Sequence, residues 1–242
     1  MKINIVRPTD GWVLQKIAEA WKLPYSTCSA SPDKDADANI WVNYAMFHAV
    51  GKMKSTNCDI GWFTHREFES PLTTVFDEVA QKMDWCIAMC EATAHWLPSD
   101  RTTVIHSAPS AMYPRRDLVL GVVGRDYPRK RNRLIVDVER IEGITVRYTG
   151  GRLSDANMLS FYGAVDYVLV LSENEGGPMC VPEAMAMGKP VIAPDVGWCW
   201  DYPCVRYTDV EDLIRVVRGL MPPTIEQESA QIMRVIDGMA LC

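Results

Sequence analysis

The stretch that decides the fold runs from Ser172 to Gly197 and reads SENEGGPMCVPEAMAMGKPVIAPDVG. Residues 168–171 (VLVL), just before it, form an apolar run of strand length and β-branched character. Glycines and a proline then turn the backbone, and Pro182 stands where a helix of good helix formers can begin. Gly188 fits the left-handed end of that helix, and an apolar triplet follows it. The pattern predicts strand, loop, short helix and strand, as in a parallel α/β sheet.

Two glutamates carry the chemistry of this stretch. Glu175 lies on the loop and Glu183 in the first helical turn, after the carboxyl end of a strand, where open α/β sheets bind ligands. Carboxylates accept hydrogen bonds from sugar hydroxyls, whereas loop N–H groups and a helix start suit an anion. The pattern therefore fits a nucleotide-sugar. Spacing alone leaves open a plain βαβ turn in which Glu183 only favours the helix dipole.

Residues 175–193 resemble the Glu-x7-Glu signature of retaining glycosyltransferases of the GT-B fold, family 4, which include sucrose synthase. The matching order is an acidic residue, a Gly-rich loop and the run 183–193, EAMAMGKPVIA. The chain contains two successive series of alternating strands and helices. Together with this pattern, the resemblance implies two doubly wound, Rossmann-like α/β domains facing a cleft. It also implies a hexosyltransferase that moves a sugar from a UDP- or GDP-sugar to an acceptor hydroxyl, retaining configuration and using neither metal nor other cofactor.

The resemblance also implies particular site residues. Gly124, Arg125 and Lys130 are similar to the family's Gly-Arg-x-x-x-x-Lys, whose cations neutralise the nucleotide diphosphate, with Arg131 at the family's next glycine. Fixed cations stabilise the charge that a leaving diphosphate gains as the glycosidic bond breaks.

Around the glutamates, the resemblance implies that Glu183 binds the ribose and that Glu175 holds the sugar. His65, after an earlier strand, is similar to a histidine that faces the donor sugar in the family, although the polar residues there also fit a capped turn. The sugar and phosphate would also meet the Gly-rich loop and its N–H groups, at Gly176, Gly177, Pro178 (which has no N–H of its own) and Met179.

The boundaries follow from linker composition and helical patterning. Prolines and small polar residues over 107–114 predict a linker, giving an acceptor-side domain at 1–112 and a nucleotide-sugar-binding domain at 113–221. Residues 222–242 form a last helix, with a capping box at Thr224 and Gln227 and an apolar stripe expected to pack back on the first domain.

In the first half, residues 2–6 read as an opening strand and 10–21 as an amphipathic helix with Asp10 as its N-cap. Residues 24–37 read as a polar, turn-rich loop. This loop holds Asp35-Ala36-Asp37, which matches the metal-binding Asp-x-Asp of another glycosyltransferase fold. We reject that match because the pair lies in a charged loop and not at the end of a strand.

Composition narrows the class of protein. The chain has 242 residues, a formal net charge of −6 and eight scattered cysteines without metal-site spacing. Reduced thiols, a strand-like N-terminus and no bilayer-length apolar run predict a cytoplasmic protein. The acceptor stays open between glycan, lipid, protein and modified nucleic acid, as does contact with a membrane surface. The basic stretch 115–133 fits a diphosphate site or a polyanion patch.

Two other classes remain open from the sequence. A thin glycine loop after the first strand and a short first domain are compatible with a non-catalytic nucleotide-sugar-binding module. A nucleotide-sugar epimerase or a phosphorylase on the same fold is the second alternative.

Overall fold

The computed structural model describes residues 1–50, 58–109 and 116–239, and the chain divides into two compact units. One unit comprises Met1–Tyr113 with Pro222–Cys242, and the other comprises Pro114–Met221. Over the described residues each unit is built on one parallel sheet, which confirms the predicted pair of Rossmann-like α/β folds. The cleft between them stays a prediction. Residues 110–115 lie outside the described residues. They include the end of the predicted linker and Arg115, the first residue of the basic stretch.

The described strands of the first unit are β1 (Ile3–Val6), β2 (Ser26–Ser29), β3 (Ala38–Trp41), β4 (Cys58–Phe63), β5 (Trp85–Ala88) and β6 (Thr102–Val104). Its described helices before the second unit are α1 (Val13–Ala20), α2 (Tyr44–Val50), α3 (Pro71–Lys82) and α4 (Glu91–Ala94). The strand order is β2-β1-β3-β4-β5-β6. From β1 the chain moves to one side for β2 and to the other for β3. The loops after β1 and β3 therefore diverge and leave a crevice at the carboxyl edge of the sheet.

The described strands of the second unit are β7 (Leu118–Val122), β8 (Ile144–Tyr148), β9 (Tyr167–Leu169), β10 (Val191–Ala193) and β11 (Val205–Arg206). Its helices are α5 (Leu134–Glu139), α6 (Asp155–Gly163), α7 (Cys180–Ala186) and α8 (Val210–Gly219). The order β11-β10-β9-β7-β8 places the reversal of strand order between β7 and β9. Apolar clusters cover this sheet, one around Leu120, Leu169 and Leu213 and another around Val168, Val181 and Val191. Because the strand order reverses between β7 and β9, the crevice expected at such a reversal lies at the segments that follow these two strands.

The C-terminal helix α9 (Ile225–Met239) returns to the first unit. Its apolar face, with Ile232 and Ile236, joins the core formed by Leu14 and Trp21 of the α1 region. The predicted capping box is present, because the Gln227 N–H donates to Thr224 Oγ1 at 3.1 Å and the Thr224 N–H to Gln227 Oε1 at 2.9 Å.

Two predictions in the first half were wrong. Asp10 does not cap α1, which begins at Val13; its carboxylate instead accepts the Trp12 N–H at 3.0 Å, forming a local turn. The segment 24–37 is not all loop, because Ser26–Ser29 pair in parallel with β1 as an edge strand. The polar residues of β2 fit an exposed edge, where apolar alternation is not required.

None of the helices in the described part of the chain is long and apolar enough to cross a membrane.

Helix α9 carries a buried carboxylate. Glu228 is 1% exposed and its Oε2 accepts the Ala108 N–H at 2.8 Å, which joins α9 to the segment after β6. Burial raises the pKa of the Glu228 carboxyl, and the Ala108 N–H with the polar groups of Trp21 and Ser107 offsets only part of that rise.

We expect Glu228 to make the protein less stable as the pH rises from acid to neutral. The folded state holds the proton above the ordinary pKa of 4.5 while the unfolded state loses it, so the free energy of unfolding falls through that window. Each unit of pKa difference corresponds to about 1.4 kcal/mol. Thermal unfolding of Glu228→Gln and the parent between pH 4 and 8 should show the variant gaining relative stability as the pH rises. Parallel curves would contradict the assignment.

Candidate active site

The turn after β7 and the loop after β9 meet at the reversal of strand order in the second sheet. Residues Pro128–Lys130 form a 3₁₀ turn, and the backbone N–H of Glu173 donates to the Arg129 carbonyl at 3.0 Å. The sequence predicted that these two segments would face one ligand. The hydrogen bond holds them side by side.

Three charged side chains come together there. Glu175 forms an ion pair with Lys130, and its Oε1 lies 3.0 Å from Arg129 Nη1. The Glu175 and Lys130 side chains are 10% and 17% exposed, so water screens this pair only partly. Burial works to raise the pKa of the Glu175 carboxyl, but hydrogen bonds from Lys130 and Ser172 and the charge of Arg129 outweigh it, and the pKa lies below its usual value. The carboxylate is thus ionised at neutral pH, and the cluster carries one net positive charge.

The role of Arg125 beside Lys130 at the diphosphate stays a prediction. The Arg125 guanidinium is exposed and lies beside the phenol of Tyr127, while its backbone packs against Gly151. Arg129, which the sequence placed only in the general basic stretch, is a second cation that contacts Glu175, beside Lys130. Its position next to Lys130 was the available signal, but the side on which it projects depends on the 3₁₀ turn.

Gly124 and Arg131 flank Lys130. Gly124 has φ +131°, a backbone conformation that favours glycine, and a Cβ there would lie 3.6 Å from Lys130 Cε and Nζ. Arg131, which replaces the family's glycine, adopts a left-handed conformation at φ 49°. Its Nε donates to the Leu171 carbonyl at 2.8 Å. The arginine therefore ties this turn to the end of β9, which compensates for its strained backbone.

Glu183 lies in the first turn of α7 and is exposed, but it has a fixed partner. The Tyr162 hydroxyl donates to Glu183 Oε2 at 2.6 Å, and Tyr162 itself is 2% exposed. Burial and this hydrogen bond raise the pKa of Tyr162. The two side chains line a cavity of about 430 Å³ between α6 and α7, with Leu159 and Met187 on its wall. Tyr162, interpreted from sequence as structural, orients the carboxylate predicted to bind ribose.

The start of α7 was predicted two residues late, because the helix begins at Cys180 and not at Pro182. The predicted end is confirmed, since Gly188 has φ +66° just after the helix.

The Gly-rich loop rests on the turn after β10. The Trp198 indole lies so close to Gly177 that a Cβ there would come within 2.8 Å of the ring. The Trp198 Nε1–H donates to the Pro178 carbonyl at 3.3 Å. Gly176, one residue earlier, has no atom within 4 Å of such a Cβ among the described residues. The loop is therefore packed at one glycine and open at the other.

We expect Gly177→Ala to destabilise the second unit by about 1–3 kcal/mol, because the indole or the loop must move to accept the methyl group. The matched change Gly176→Ala should stay within about 0.5 kcal/mol of the parent. Thermal unfolding of the three proteins decides this. Equal melting temperatures for the two variants would show that Trp198 does not support the loop.

His65 lies in the first unit, after β4. Its Nδ1 is 3.0 Å from Thr64 Oγ1 and its Nε2 is 3.1 Å from Glu67 Oε1, and its side chain is 68% exposed. Arg66 beside it makes two hydrogen bonds to Asp77, at 2.9 and 2.7 Å. The predicted site residues thus divide between the two units, with His65 in one and the others in the second.

The rejected Asp35-Ala36-Asp37 segment is engaged elsewhere, since the Asp37 carboxylate accepts the backbone N–H of Lys2 at 2.6 Å. Over residues 1–50, 58–109 and 116–239, no group of three or more His, Cys, Asp or Glu side chains is placed to hold a metal ion.

Comparison with known proteins identifies the class of this parallel α/β protein. A family model described as Glycosyl transferases group 1 matches residues 95–221. That match defines the protein as a glycosyltransferase. Because it covers more than half of the chain, the chain belongs to the group 1 glycosyltransferase family. A comparison with curated protein sequences gives no match.

Similar solved structures include Anabaena HepE in complex with UDP and glucose, at 13% identity and a TM-score of 0.37, covering 99% of this chain and 98% of that one. Sucrose-phosphate synthase from Thermosynechococcus elongatus has 16% identity and a TM-score of 0.39, with 84% and 69% covered. The lipopolysaccharide galactosyltransferase WaaB in its apo form has 14% identity and a TM-score of 0.33, with 97% and 95% covered. These likenesses are weak, so the family assignment rests on the sequence match.

Proposed function

We propose that the protein is a cytoplasmic, metal-independent and retaining hexosyltransferase that moves a sugar from a UDP- or GDP-sugar to an acceptor hydroxyl. The observation that carries the proposal is the cluster of Lys130, Arg129 and Glu175, where the turn after β7 and the loop after β9 lie side by side. A cationic pair beside a carboxylate offers one surface for a diphosphate and another for sugar hydroxyls.

The chemistry follows from those charges. As the bond between the sugar's anomeric carbon and the diphosphate oxygen breaks, the electron pair stays on that oxygen. Lys130 and Arg129 stabilise the growing negative charge, a role that a metal ion fills in other enzymes. Arg125, on the exposed side of the same turn, adds positive potential.

The carboxylates orient the donor. Glu175 accepts hydrogen bonds from the hydroxyls of the transferred sugar, and the loop from Gly176 to Met179 supplies N–H groups to sugar and phosphate. Glu183, held by Tyr162, accepts the ribose hydroxyls. The acceptor hydroxyl attacks the anomeric carbon from the side of the leaving group and gives its proton to the departing diphosphate oxygen, so no protein nucleophile is assigned. We place acceptor binding in the first unit.

A thermal-shift screen with UDP, GDP, ADP and their sugars tests the proposal. A ligand at 100 times its Kd should stabilise by about 2.7 kcal/mol, which corresponds to roughly 5–10 °C. Glu183→Ala should remove most of that shift. Glu211→Ala is the matched control, because Glu211 is also an exposed glutamate in the first turn of a helix, α8.

Product analysis then separates the reaction classes. NMR of the product should show sugar transferred with retained anomeric configuration. Release of an isomerised sugar would indicate an epimerase, and an inverted product would contradict retention. A chain that binds no nucleoside diphosphate would overturn the whole proposal.

A further inference from the structure

A second crevice lies in the first unit. The segment after β1 and the segment after β3 line a cavity of about 460 Å³ at the reversal of strand order in the first sheet. The loop after β4 closes a third side. Cavities of a few hundred cubic ångströms at such reversals are the usual place for a small ligand in an open α/β sheet.

One wall of this cavity, the β1 crevice, is apolar. It comprises Trp12, Val13, Ile17, Leu72 and Met89. Trp12 is 62% exposed, Val13 49% and Leu72 43%, which are large values for side chains of their size. These apolar surfaces converge on one concave site, and a ligand with a hydrophobic group would remove them from water.

The other end of the β1 crevice is polar but not cationic. Asn43, Thr64, His65 and Glu67 line it. The Thr64–His65–Glu67 hydrogen-bonded chain ends on a carboxylate that is 42% exposed. Carboxylate and amide groups accept hydrogen bonds from hydroxyls, whereas a negative ligand would meet the charge of Glu67. The adjacent cation, Arg66, is paired with Asp77.

We propose that the β1 crevice binds the acceptor, and that this acceptor is an amphipathic neutral glycoside: a hydroxylated head at Glu67 and Asn43, and a short hydrophobic group against Trp12 and Leu72. The inference rests on the proposed transferase function and adds the substrate class. The volume fits one sugar ring with a small aglycone, and the carboxylate excludes a phosphorylated head.

Calorimetry with hexyl β-glucoside and methyl β-glucoside, both below any micelle concentration, tests the preference on the full chain. We expect the hexyl compound to bind at least 10-fold more tightly. Leu72→Asp should abolish that difference. It should not harm folding, because an acidic residue suits the first turn of α3, where Leu72 lies. Trp12→Ala is the second variant, with the same expectation.

The control is Val136→Asp, which places the same charge at a 55% exposed apolar position on α5, outside the crevice. This variant should keep the hexyl preference. Equal binding of the two glucosides, or a preference that survives in Leu72→Asp, overturns the proposal. Binding to phosphatidylcholine vesicles that Leu72→Asp abolishes, without a hexyl preference, would instead make this face a membrane contact and also overturns it.

Transfer assays distinguish this inference from the proposed function. Preferred transfer to hexyl glucoside supports the inference. Nucleotide binding with equal transfer to both glucosides overturns the acceptor class and leaves the transferase standing. If no nucleoside diphosphate binds, the proposed function fails, whatever the glucosides do.

Discussion

Lys130→Ala is expected to weaken nucleoside diphosphate binding by about 10- to 100-fold and to reduce sugar transfer by about 10²- to 10³-fold. The binding loss is the size of a charge-assisted hydrogen bond. The larger loss in transfer arises because charge on the diphosphate grows as the glycosidic bond breaks. The Lys130 side chain is only 17% exposed beside Glu175, so water cannot easily take the place of the missing ammonium group in the variant. Calorimetry with the preferred nucleotide and initial rates with its sugar measure the two effects.

The matched control removes a positive charge from the same basic stretch. Arg133→Ala changes an exposed residue three positions away, at the N-terminal end of α5. If the basic stretch 115–133 attracted the nucleotide only through its total charge, both variants would lose nucleotide affinity equally. That result would refute the specific role of Lys130. A strong effect of Lys130→Ala alone supports it.

Glu175→Gln is expected to separate binding from transfer. In the protein without ligand, the carboxylate neutralises part of the charge of Lys130 and Arg129, and it repels an incoming diphosphate. The amide keeps the shape but removes the charge, so affinity for the free nucleotide should rise several-fold at low salt. Transfer should fall about 10- to 100-fold, because a neutral amide holds sugar hydroxyls less strongly than a carboxylate.

The test is specific because nucleotide affinity is expected to rise while sugar transfer is expected to fall. Glu173→Gln is the control, because it removes the same charge from an exposed position on the same loop. We expect only a small, salt-dependent change there. A Glu175→Gln variant that loses nucleotide affinity would contradict the description of Glu175 as a competing anion.

The candidate site shows which side-chain contacts the sequence motifs predicted and which they did not. Glu175 and Lys130 were predicted for one ligand, and the structure brings their side chains into contact. The predicted role of Arg125 at the diphosphate stays a prediction, and its exposed guanidinium lies beside Tyr127. Arg129, which the motif did not single out, contacts Glu175. A motif fixes the order of residues along a turn, but the direction of each side chain depends on backbone angles that the motif does not encode.

Sequence signals predicted the structure correctly where the backbone at one position needs a particular type of residue, such as a helix cap or a glycine. The capping box at Thr224 and the left-handed Gly188 were confirmed for that reason. Asp10 failed as a cap because the chain turns once more before α1. Strand β2 was missed because its partner lies more than 20 residues away, and polar edge strands lack apolar alternation.

The sequence by itself determined two parallel α/β folds, the glutamate-bearing loop and the short helix after it. Apolar runs, glycines and prolines act on the backbone within a few residues, so they can be interpreted locally. Only the tertiary structure decided that Arg129 joins Lys130 at Glu175, that buried Tyr162 holds Glu183, and that Trp198 supports Gly177. These contacts join residues about 20 to 50 positions apart, and their geometry depends on how the strands order themselves in the sheet.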